Sequence, residues 1–177
     1  MTEKLNIALI GCGSWGKNIA RNLHQIGTLA CIYDTDQNLL QKLNQNFNLP
    51  TYSINDIFKN EKIQALVIAS AAKTHKDLAE EALLNNKDVF IEKPFCLSLS
   101  DATNLSKLAI KKNRVLMVGH LLNYHNAFIK MKDLIKEGKI GKIKNIRAHR
   151  LALGAIRSHE SVVYDLAAHD ISMILSI

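Results

Sequence analysis

The sequence has few cysteines and no long apolar run. Its three cysteines (Cys12, Cys31 and Cys96) are odd in number and widely spaced, without a C-x-x-C pair, which argues against a disulfide framework and against a zinc site. No stretch approaches the ~18 uninterrupted apolar residues of a membrane helix. The first six residues carry one lysine before a short apolar run, so we expect no signal peptide. Without repeats or low-complexity segments, the composition predicts a cytoplasmic globular protein that does not act at a membrane.

The chain also lacks an aromatic platform or a recognition motif of the kind that accompanies the basic residues of a nucleic-acid surface. It has 23 basic and 16 acidic residues, a formal net charge of +7, and much of the basic excess lies between residues 107 and 150. These lysines and arginines alternate with apolar residues such as Ile129 and Leu134, as on the solvated face of a helix. We therefore expect no nucleic-acid partner. Attraction of an anionic, phosphate-bearing substrate by this charge stays open.

What the sequence does have is a G-x-G-x-x-G turn between an apolar run and a helical pattern. Gly11 allows the turn, Gly13 lets the backbone approach a pyrophosphate, and Gly16 lets helix and strand pack closely. The unpaired N–H groups of the following helix start, which includes Ser14 and Trp15, then face the anion. The motif predicts a dinucleotide-binding loop.

Asp34 ends the second predicted strand, 23 residues after Gly11 (34 minus 11). This is close to the spacing of the acid that binds the adenine ribose hydroxyls. A carboxylate there favours NAD, because the 2′-phosphate of NADP would meet like charge, although NADP stays open. The alternative is a loop aspartate that begins the next helix, with Asp36 as its N-cap.

Predicted strands and helices alternate along the first two thirds of the chain. This pattern indicates an α/β fold, a doubly wound parallel sheet of the Rossmann type, in residues 1–122. Its ligand site should lie where the strands end, and five residues stand at or just past predicted strand ends: Gly11, Asp34, Ser70, Lys93 and His120. Residues 123–177 look like the incomplete start of a second α/β domain.

Several local predictions can be checked directly. Thr74, with Asp77 three residues on, resembles a capping box at a helix start, and Ser100 is an N-cap candidate for the next helix. A short strand is predicted at residues 51–53, and a long strand of period two is predicted at residues 143–153. A helix is predicted from residue 161 to residue 177.

Two further groups carry candidate chemistry. Glu92, Lys93 and Pro94 follow a buried strand, where a lysine aimed at a cofactor could act on a substrate hydroxyl; a solvated surface lysine is the plainer interpretation. Asp165 and His169 are four residues apart, hence on one face of a helix, where the carboxylate could orient an acid/base imidazole. A metal pair or a local helix contact are the alternatives, and we predict no metal site.

Taken together, these motifs resemble the Gfo/Idh/MocA oxidoreductase family over the whole chain. The shared elements are the glycine turn, Thr74-His75, Glu92-Lys93-Pro94, Gly119-His120, Gly138…Gly141 and Asp165…His169. The resemblance implies a Rossmann domain followed by an α/β domain with an open sheet. It also implies oxidation of a sugar or cyclitol hydroxyl with NAD or NADP.

The resemblance assigns roles to individual residues. It implies that Lys93 is the catalytic lysine and that Asp165 and His169 are the acid/base pair, with the proton acceptor being either His169 or Lys93. The expected cofactor-binding set is Gly11, Gly13, Ser14, Trp15, Gly16, Asp34, Ser70, His75, Glu92 and Lys93.

Residues 119–128 look most similar to nucleotide-sugar members of the family, of the UDP-N-acetylglucosaminuronate type. Those members usually have proline where this chain has Asn126, so the sugar itself stays open. Tyr124 and His125 match the run and are either substrate-facing or structural.

Family members are considerably longer than 177 residues. We therefore expect the cofactor domain and only the opening of the substrate domain. Three hypotheses stay open. The first is a dehydrogenase that is active only with a complementary C-terminal fragment, as half of a split enzyme, or with a second copy of the chain. The second is a nucleotide-binding protein without catalysis, and the least favoured is a nucleic-acid-binding protein.

Overall fold

The chain divides into two compact units. The computed structural model describes residues 4–151, 161 and 163–177. The units are residues 1–118 and 119–177, so the predicted boundary after residue 122 lies four residues farther on (122 minus 118). That the second unit begins a substrate domain stays a prediction.

The first unit is built on one parallel sheet. Its strands are β1 (Ile7–Ile10), β2 (Leu29–Tyr33), β3 (Ala65–Ile68), β4 (Asp88–Ile91) and β5 (Leu116–Val118). They lie in the order β2-β1-β3-β4-β5, and every neighbouring pair is parallel. The chain runs outward from β1 to β2 and then crosses to β3 on the other side of β1. This reversal creates the crevice at the carboxyl ends of the strands where such sheets bind ligands, and it confirms the predicted Rossmann-type fold.

Five α-helices of the described residues cover this sheet. They are α1 (Ser14–Gln25), α2 (Gln37–Asn44), α3 (Ile54–Lys59), α4 (His75–Leu84) and α5 (Leu99–Lys112). A single 3-10 turn, Ala72–Thr74, precedes α4.

Side chains alternate between two cores, one on each face of the sheet. Along β1, Ala8 and Ile10 pack into one core with Ile57 and Leu105, whereas Leu9 packs into the other with residues of α1 and α2. Successive strand residues point to opposite faces, and both faces are covered. Strands of this kind therefore read as continuous apolar runs rather than as alternating ones.

The predicted capping box at Thr74 is wrong. Its side chain makes no cap hydrogen bond to α4. The hydroxyl instead donates to the Ala71 carbonyl (2.8 Å) and lies 2.7 Å from the Ser70 hydroxyl. Because the 3-10 turn before α4 includes Thr74, its hydroxyl donates to a carbonyl three residues earlier in the chain instead of accepting an N–H of α4.

The N-cap of α5 is Ser98, not the predicted Ser100. The Ser98 hydroxyl accepts the backbone N–H of Asp101 at 3.1 Å and donates to the Asp101 carboxylate at 2.7 Å. Both serines precede the apolar pattern, and only the position of an acid three residues later distinguishes Ser98. The predicted strand at residues 51–53 is also absent, since these described residues pair with no neighbouring strand.

The second unit holds a 3-10 turn (Leu121–Tyr124), α6 (Asn126–Lys136), a π-helical turn (Val163–Ala167) and α7 (Ala168–Ile174). The strand predicted at 143–153 is not formed over 143–151, because no described strand lies alongside to receive its hydrogen bonds; residues 152 and 153 lie outside the described residues. The helix predicted at 161–177 is shorter and begins with the π-turn. No helix in the described part of the chain is long and apolar enough to span a membrane.

Candidate functional site

Two glycines of the loop after β1 are required by close packing. Gly11 has φ +103°, and a Cβ there would lie 2.5 Å from the carbonyl carbon of Ala69 at the end of β3. A Cβ on Gly16 would collide with the Gly11 carbonyl oxygen. These two residues therefore bring the loop, β3 and α1 together at the centre of the sheet edge.

Gly13 differs from its neighbours because the space beside it is open. A Cβ on Gly13 would meet nothing within 4 Å. Gly13 is the N-cap of α1 and supplies no side-chain cap, and the first turn carries no acidic residue. The N–H groups of Ser14, Trp15 and Gly16, in the first turn, have no acceptor within the helix and lie at the positive end of the helix dipole, next to the open space at Gly13. This cradle fits the pyrophosphate of a dinucleotide.

Asp34 follows β2 and contacts the glycine loop. Its Oδ2 accepts the backbone N–H of Cys12 at 2.6 Å, and its Oδ1 accepts that of Asp36 at 2.8 Å. Asp36 itself caps α2 through its carboxylate, so the helix start does not occupy Asp34. Each carboxylate oxygen has a second lone pair, with which Asp34 can still accept ribose hydroxyls.

A buried histidine underlies the ends of β3 and β4. His75, the first residue of α4, is 1% exposed. Its Nδ1 lies 2.8 Å from the Pro94 carbonyl oxygen, and its Nε2 lies 3.1 Å from the Ser70 carbonyl oxygen. Both ring nitrogens are therefore engaged with backbone, and the predicted part of His75 in cofactor binding stays a prediction.

The residues after β4 face the glycine loop. Glu92 Oε1 accepts the indole N–H of Trp15 at 2.8 Å, across 77 residues of sequence. Burial raises the pKa of the Glu92 carboxyl, and the hydrogen bonds from Trp15 and from the Lys93 backbone oppose that rise. Lys93 is partly exposed, and the Lys93–Pro94 peptide is cis. The structure therefore gathers Gly11, Gly13, Trp15, Asp34, Ser70, Glu92 and Lys93 at one sheet edge.

Cys12 lies in the same loop and is fully buried. Burial, with the nearby charge of Asp34, raises the pKa of its thiol to about 12. A thiol of this kind stays protonated and is a poor nucleophile. Within the described residues no group of three or more His, Cys, Asp or Glu side chains is arranged to hold a metal ion.

In the second unit, the acid/base candidates occupy the π-turn and the start of α7. Asp165 lies in the π-turn Val163–Ala167, and His169 lies in the first turn of α7. The i,i+4 argument for a shared face assumed a regular α-helix, which begins only after Asp165. Single π-turns inside helices are frequent at functional sites.

An ion pair that the sequence did not suggest holds α7. Arg150 donates from Nε to Asp170 Oδ2 (2.9 Å) and from Nη2 to Asp170 Oδ1 (3.0 Å). Hydrogen bonding by Arg150 lowers the pKa of the Asp170 carboxyl below its ordinary range. This bidentate pair ties the segment ending at residue 151 to the helix that carries His169.

The remaining candidates differ in exposure. Tyr124 is 63% exposed, and the exposed His125 caps α6, its Nδ1 accepting the backbone N–H of Ala127 at 3.3 Å. Whether either residue touches substrate stays a prediction. His120 lines an apolar groove of about 460 Å³ with residues of α7, including Ala168 and Ile171. Burial lowers the pKa of the His120 imidazole.

Sequence reasoning missed three contacts among the described residues: in the first unit Trp15 with Glu92 and His75 with its two carbonyls, and in the second unit Arg150 with Asp170. Each of them joins residues far apart in the chain or uses backbone atoms. A rule based on the spacing of residues in the sequence detects neither kind of contact. The only sequence signal was the preference of arginine for carboxylate, which leaves its partner undetermined.

Comparison with known proteins gives the family directly. The sequence model of GFO_IDH_MocA, described as "Oxidoreductase family, NAD-binding Rossmann fold", matches residues 5–120. A 2,7-anhydro-N-acetylneuraminate hydratase of Escherichia coli (strain K12) is 30% identical over 150 residues, 82% of this chain and 40% of that protein.

Two solved structures share the fold. UDP-N-acetylglucosamine 3-dehydrogenase GnnA from Acidithiobacillus ferrooxidans superimposes with a TM-score of 0.86 at 25% identity, over 99% of this chain and 57% of that one. GenD2 from gentamicin A biosynthesis, solved in complex with NAD, gives 0.74 at 25% identity, over 78% and 41%. The chain spans about half the length of the curated relatives that it matches. It belongs to the Gfo/Idh/MocA oxidoreductase family, and residues 5–120 are its NAD-binding Rossmann domain.

Proposed function

We propose that this chain carries the cofactor domain and the catalytic residues of an NAD-dependent dehydrogenase acting on a ring hydroxyl of a sugar, with nucleotide sugars as the preferred class. The observation that carries the proposal is the cradle at Gly13, open to solvent and lined by the first N–H groups of α1. The names of relatives support the sugar: a UDP-N-acetylglucosamine 3-dehydrogenase and a myo-inositol 2-dehydrogenase, 27% and 26% identical.

The roles follow from side-chain chemistry. NAD, when bound, supplies the hydride acceptor. His169, oriented by Asp165, takes the proton of the substrate hydroxyl, while Lys93 donates a hydrogen bond to the same oxygen and stabilises its developing negative charge. The roles of Lys93 and His169 are interchangeable in this scheme. Trp15 orients the carboxylate of Glu92, the residue before Lys93, through the 2.8 Å hydrogen bond.

The choice of NAD over NADP rests on Asp34. Its carboxylate is held by two backbone N–H groups, and a 2′-phosphate bound next to this fixed negative charge would be repelled. Asp34→Ser should reduce the difference in affinity between NAD and NADP. Loss of a hydrogen bond to a charged group typically changes a free energy by about 1.5–3 kcal/mol. Calorimetric titration with each coenzyme measures both affinities.

The NAD affinity of a Gly13→Ala variant tests the role of the cradle. Gly13→Ala adds a Cβ that meets nothing within 4 Å, so the fold should be kept, but the methyl occupies the approach of the pyrophosphate. We expect NAD affinity to fall at least about tenfold, or 1.4 kcal/mol, with the melting temperature nearly unchanged. Gln25→Ala at the far end of α1 is the control. Wild-type NAD affinity in the Gly13→Ala variant would contradict the cradle.

Catalysis is tested by turnover. Lys93→Met should abolish substrate-dependent NADH formation while leaving NAD affinity nearly unchanged. Because one relative is named a hydratase, product masses should be followed together with NADH. The assay compares UDP-sugars with inositols, on the chain alone and with a complementary C-terminal polypeptide. NAD binding without turnover in every mixture would favour the alternative, a nucleotide-binding protein without catalysis.

A further inference from the structure

His75 is a buried ring between two hydrogen-bond acceptors. It is 1% exposed. Its Nδ1 lies 2.8 Å from the carbonyl oxygen of Pro94, and its Nε2 lies 3.1 Å from that of Ser70. A backbone carbonyl oxygen accepts hydrogen bonds and has no proton to donate. Both ring nitrogens therefore face groups that require a donor.

A neutral imidazole cannot satisfy both contacts. It carries one N–H and one nitrogen lone pair, whereas the imidazolium carries two N–H groups. In the neutral form, one buried nitrogen lone pair would point at a carbonyl lone pair, and that carbonyl would lose its partner. Buried polar groups without partners are strongly disfavoured. Two donations at hydrogen-bonding distance match the protonated ring.

We propose that His75 is a positioning residue: as an imidazolium it donates to the Ser70 and Pro94 carbonyls together and so fixes the Lys93–Pro94 turn to the end of β3. The proposal rests on the proposed function only in taking Lys93 as the catalytic lysine. Its two ends lie on different strands, since Ser70 follows β3 and Pro94 follows β4. One side chain thus joins the segments that follow β3 and β4, beyond the last backbone hydrogen bond between these strands, from Glu92 N–H to the Ile68 carbonyl.

The charges around the ring are compatible with this assignment. Glu92, at the end of β4, is partly buried and interacts electrostatically with His75. Its carboxylate provides the negative charge that a buried cation needs. The neighbouring cation on α4, Lys76, is held by Asp77 (3.3 Å) and Glu80 (2.7 Å). Lys93 also interacts electrostatically with Glu92, so this carboxylate is the negative charge next to both His75 and Lys93.

The protonation state is read by nitrogen NMR. Long-range proton–nitrogen correlation of the full chain, with His75 assigned by loss of its signals in His75→Gln, should show both ring nitrogens in the protonated range at neutral pH. His24, which is exposed and lies tilted against Phe47 with 4.9 Å between the ring centroids, is the internal comparison. A His75 spectrum with one unprotonated nitrogen would overturn the imidazolium. The spectrum does not depend on NAD, so a chain that fails to bind NAD would overturn the proposed function and leave this result standing.

Positioning is read by amide hydrogen exchange. His75→Phe removes both donations, and exchange at residues 92 and 95–96 should accelerate by roughly tenfold to a hundredfold, as for loss of hydrogen bonds to a charged group. β1 and β2 should exchange as before. His75→Gln keeps one donor group and should give an intermediate rate, and His24→Gln is the control. Uniform acceleration over the first unit, or none after β4, would contradict positioning. If His75→Phe does not fold, the comparison between His75→Gln and wild type decides the same question.

Discussion

The two units bury their apolar residues very differently. In residues 4–118, strand and helix side chains fill two cores, and Leu9, Leu66 and Ile68 are fully buried. In the described part of residues 119–177, Phe128 is the one buried apolar side chain. Large apolar side chains there are exposed to 40% or more at Leu121, Tyr124, Ile129, Ile140, Ile146, Leu151, Val163, Tyr164, Ile171, Ile174, Leu175 and Ile177.

The difference shows what a sheet contributes. A parallel sheet offers two faces, and helices on both sides remove its apolar residues from water. The described second unit has helices without a strand to pack against, so its apolar stripes stay on the surface. We expect the first unit to depend on burial and the second to depend more on polar contacts such as Arg150 with Asp170.

The largest expected effect comes from two matched leucine truncations. Leu66→Ala, at a position with no exposed surface, should lower the free energy of unfolding by about 2–5 kcal/mol. Leu175→Ala, at a position 82% exposed, should change it by about 0.5 kcal/mol or less. Urea unfolding measures both. A comparable loss at Leu175 would mean that this face is covered in solution, and the contrast between the units would fail.

A smaller effect comes from the coenzyme. At a free concentration of 100 times Kd, NAD should stabilise the unit that binds it by about 2.7 kcal/mol. Hydrogen exchange followed by mass spectrometry should show slower exchange in peptides of β1–β5 and unchanged exchange in α6. Protection of α6 equal to that of the sheet would indicate that the two units unfold as one.

The smallest effect concerns pH and the second unit. The pKa of Asp170 is lowered below its ordinary value of 3.8 by Arg150, so the folded state favours the ionised carboxyl. The pair stabilises the fold above about pH 4, and the stabilisation is lost as pH falls through the folded-state pKa.

Asp170→Asn should therefore lower stability at pH 7 by up to about 1 kcal/mol and should differ less from wild type at pH 3. Asp133→Asn on α6, an exposed carboxylate, is the control. Equal losses at both pH values in urea unfolding would show that the carboxylate charge is not the source of the stability.

Local patterns predicted the first unit well. The apolar runs, the glycine turn and the breaks between them gave the five strands and the parallel, doubly wound sheet. Gly11 and Gly16 could be interpreted from spacing alone, because the close approach that they allow is part of the motif. Two other predictions were less accurate. The helix start at Thr74 was wrong because a 3-10 turn precedes α4, and the period-two pattern at residues 143–151 forms no strand because no described strand lies beside it.

The sequence by itself determined that strands of this chain form a parallel sheet and that a glycine loop meets a helix start, since both depend on residues close together in the chain. Only the tertiary structure decided that Trp15 reaches Glu92, that His75 bridges Ser70 and Pro94, and that Arg150 pairs with Asp170. Those contacts join residues up to 77 positions apart or use backbone carbonyls, which every residue carries. A residue's identity therefore does not predict them, and the packing of strands and helices must first bring the atoms together.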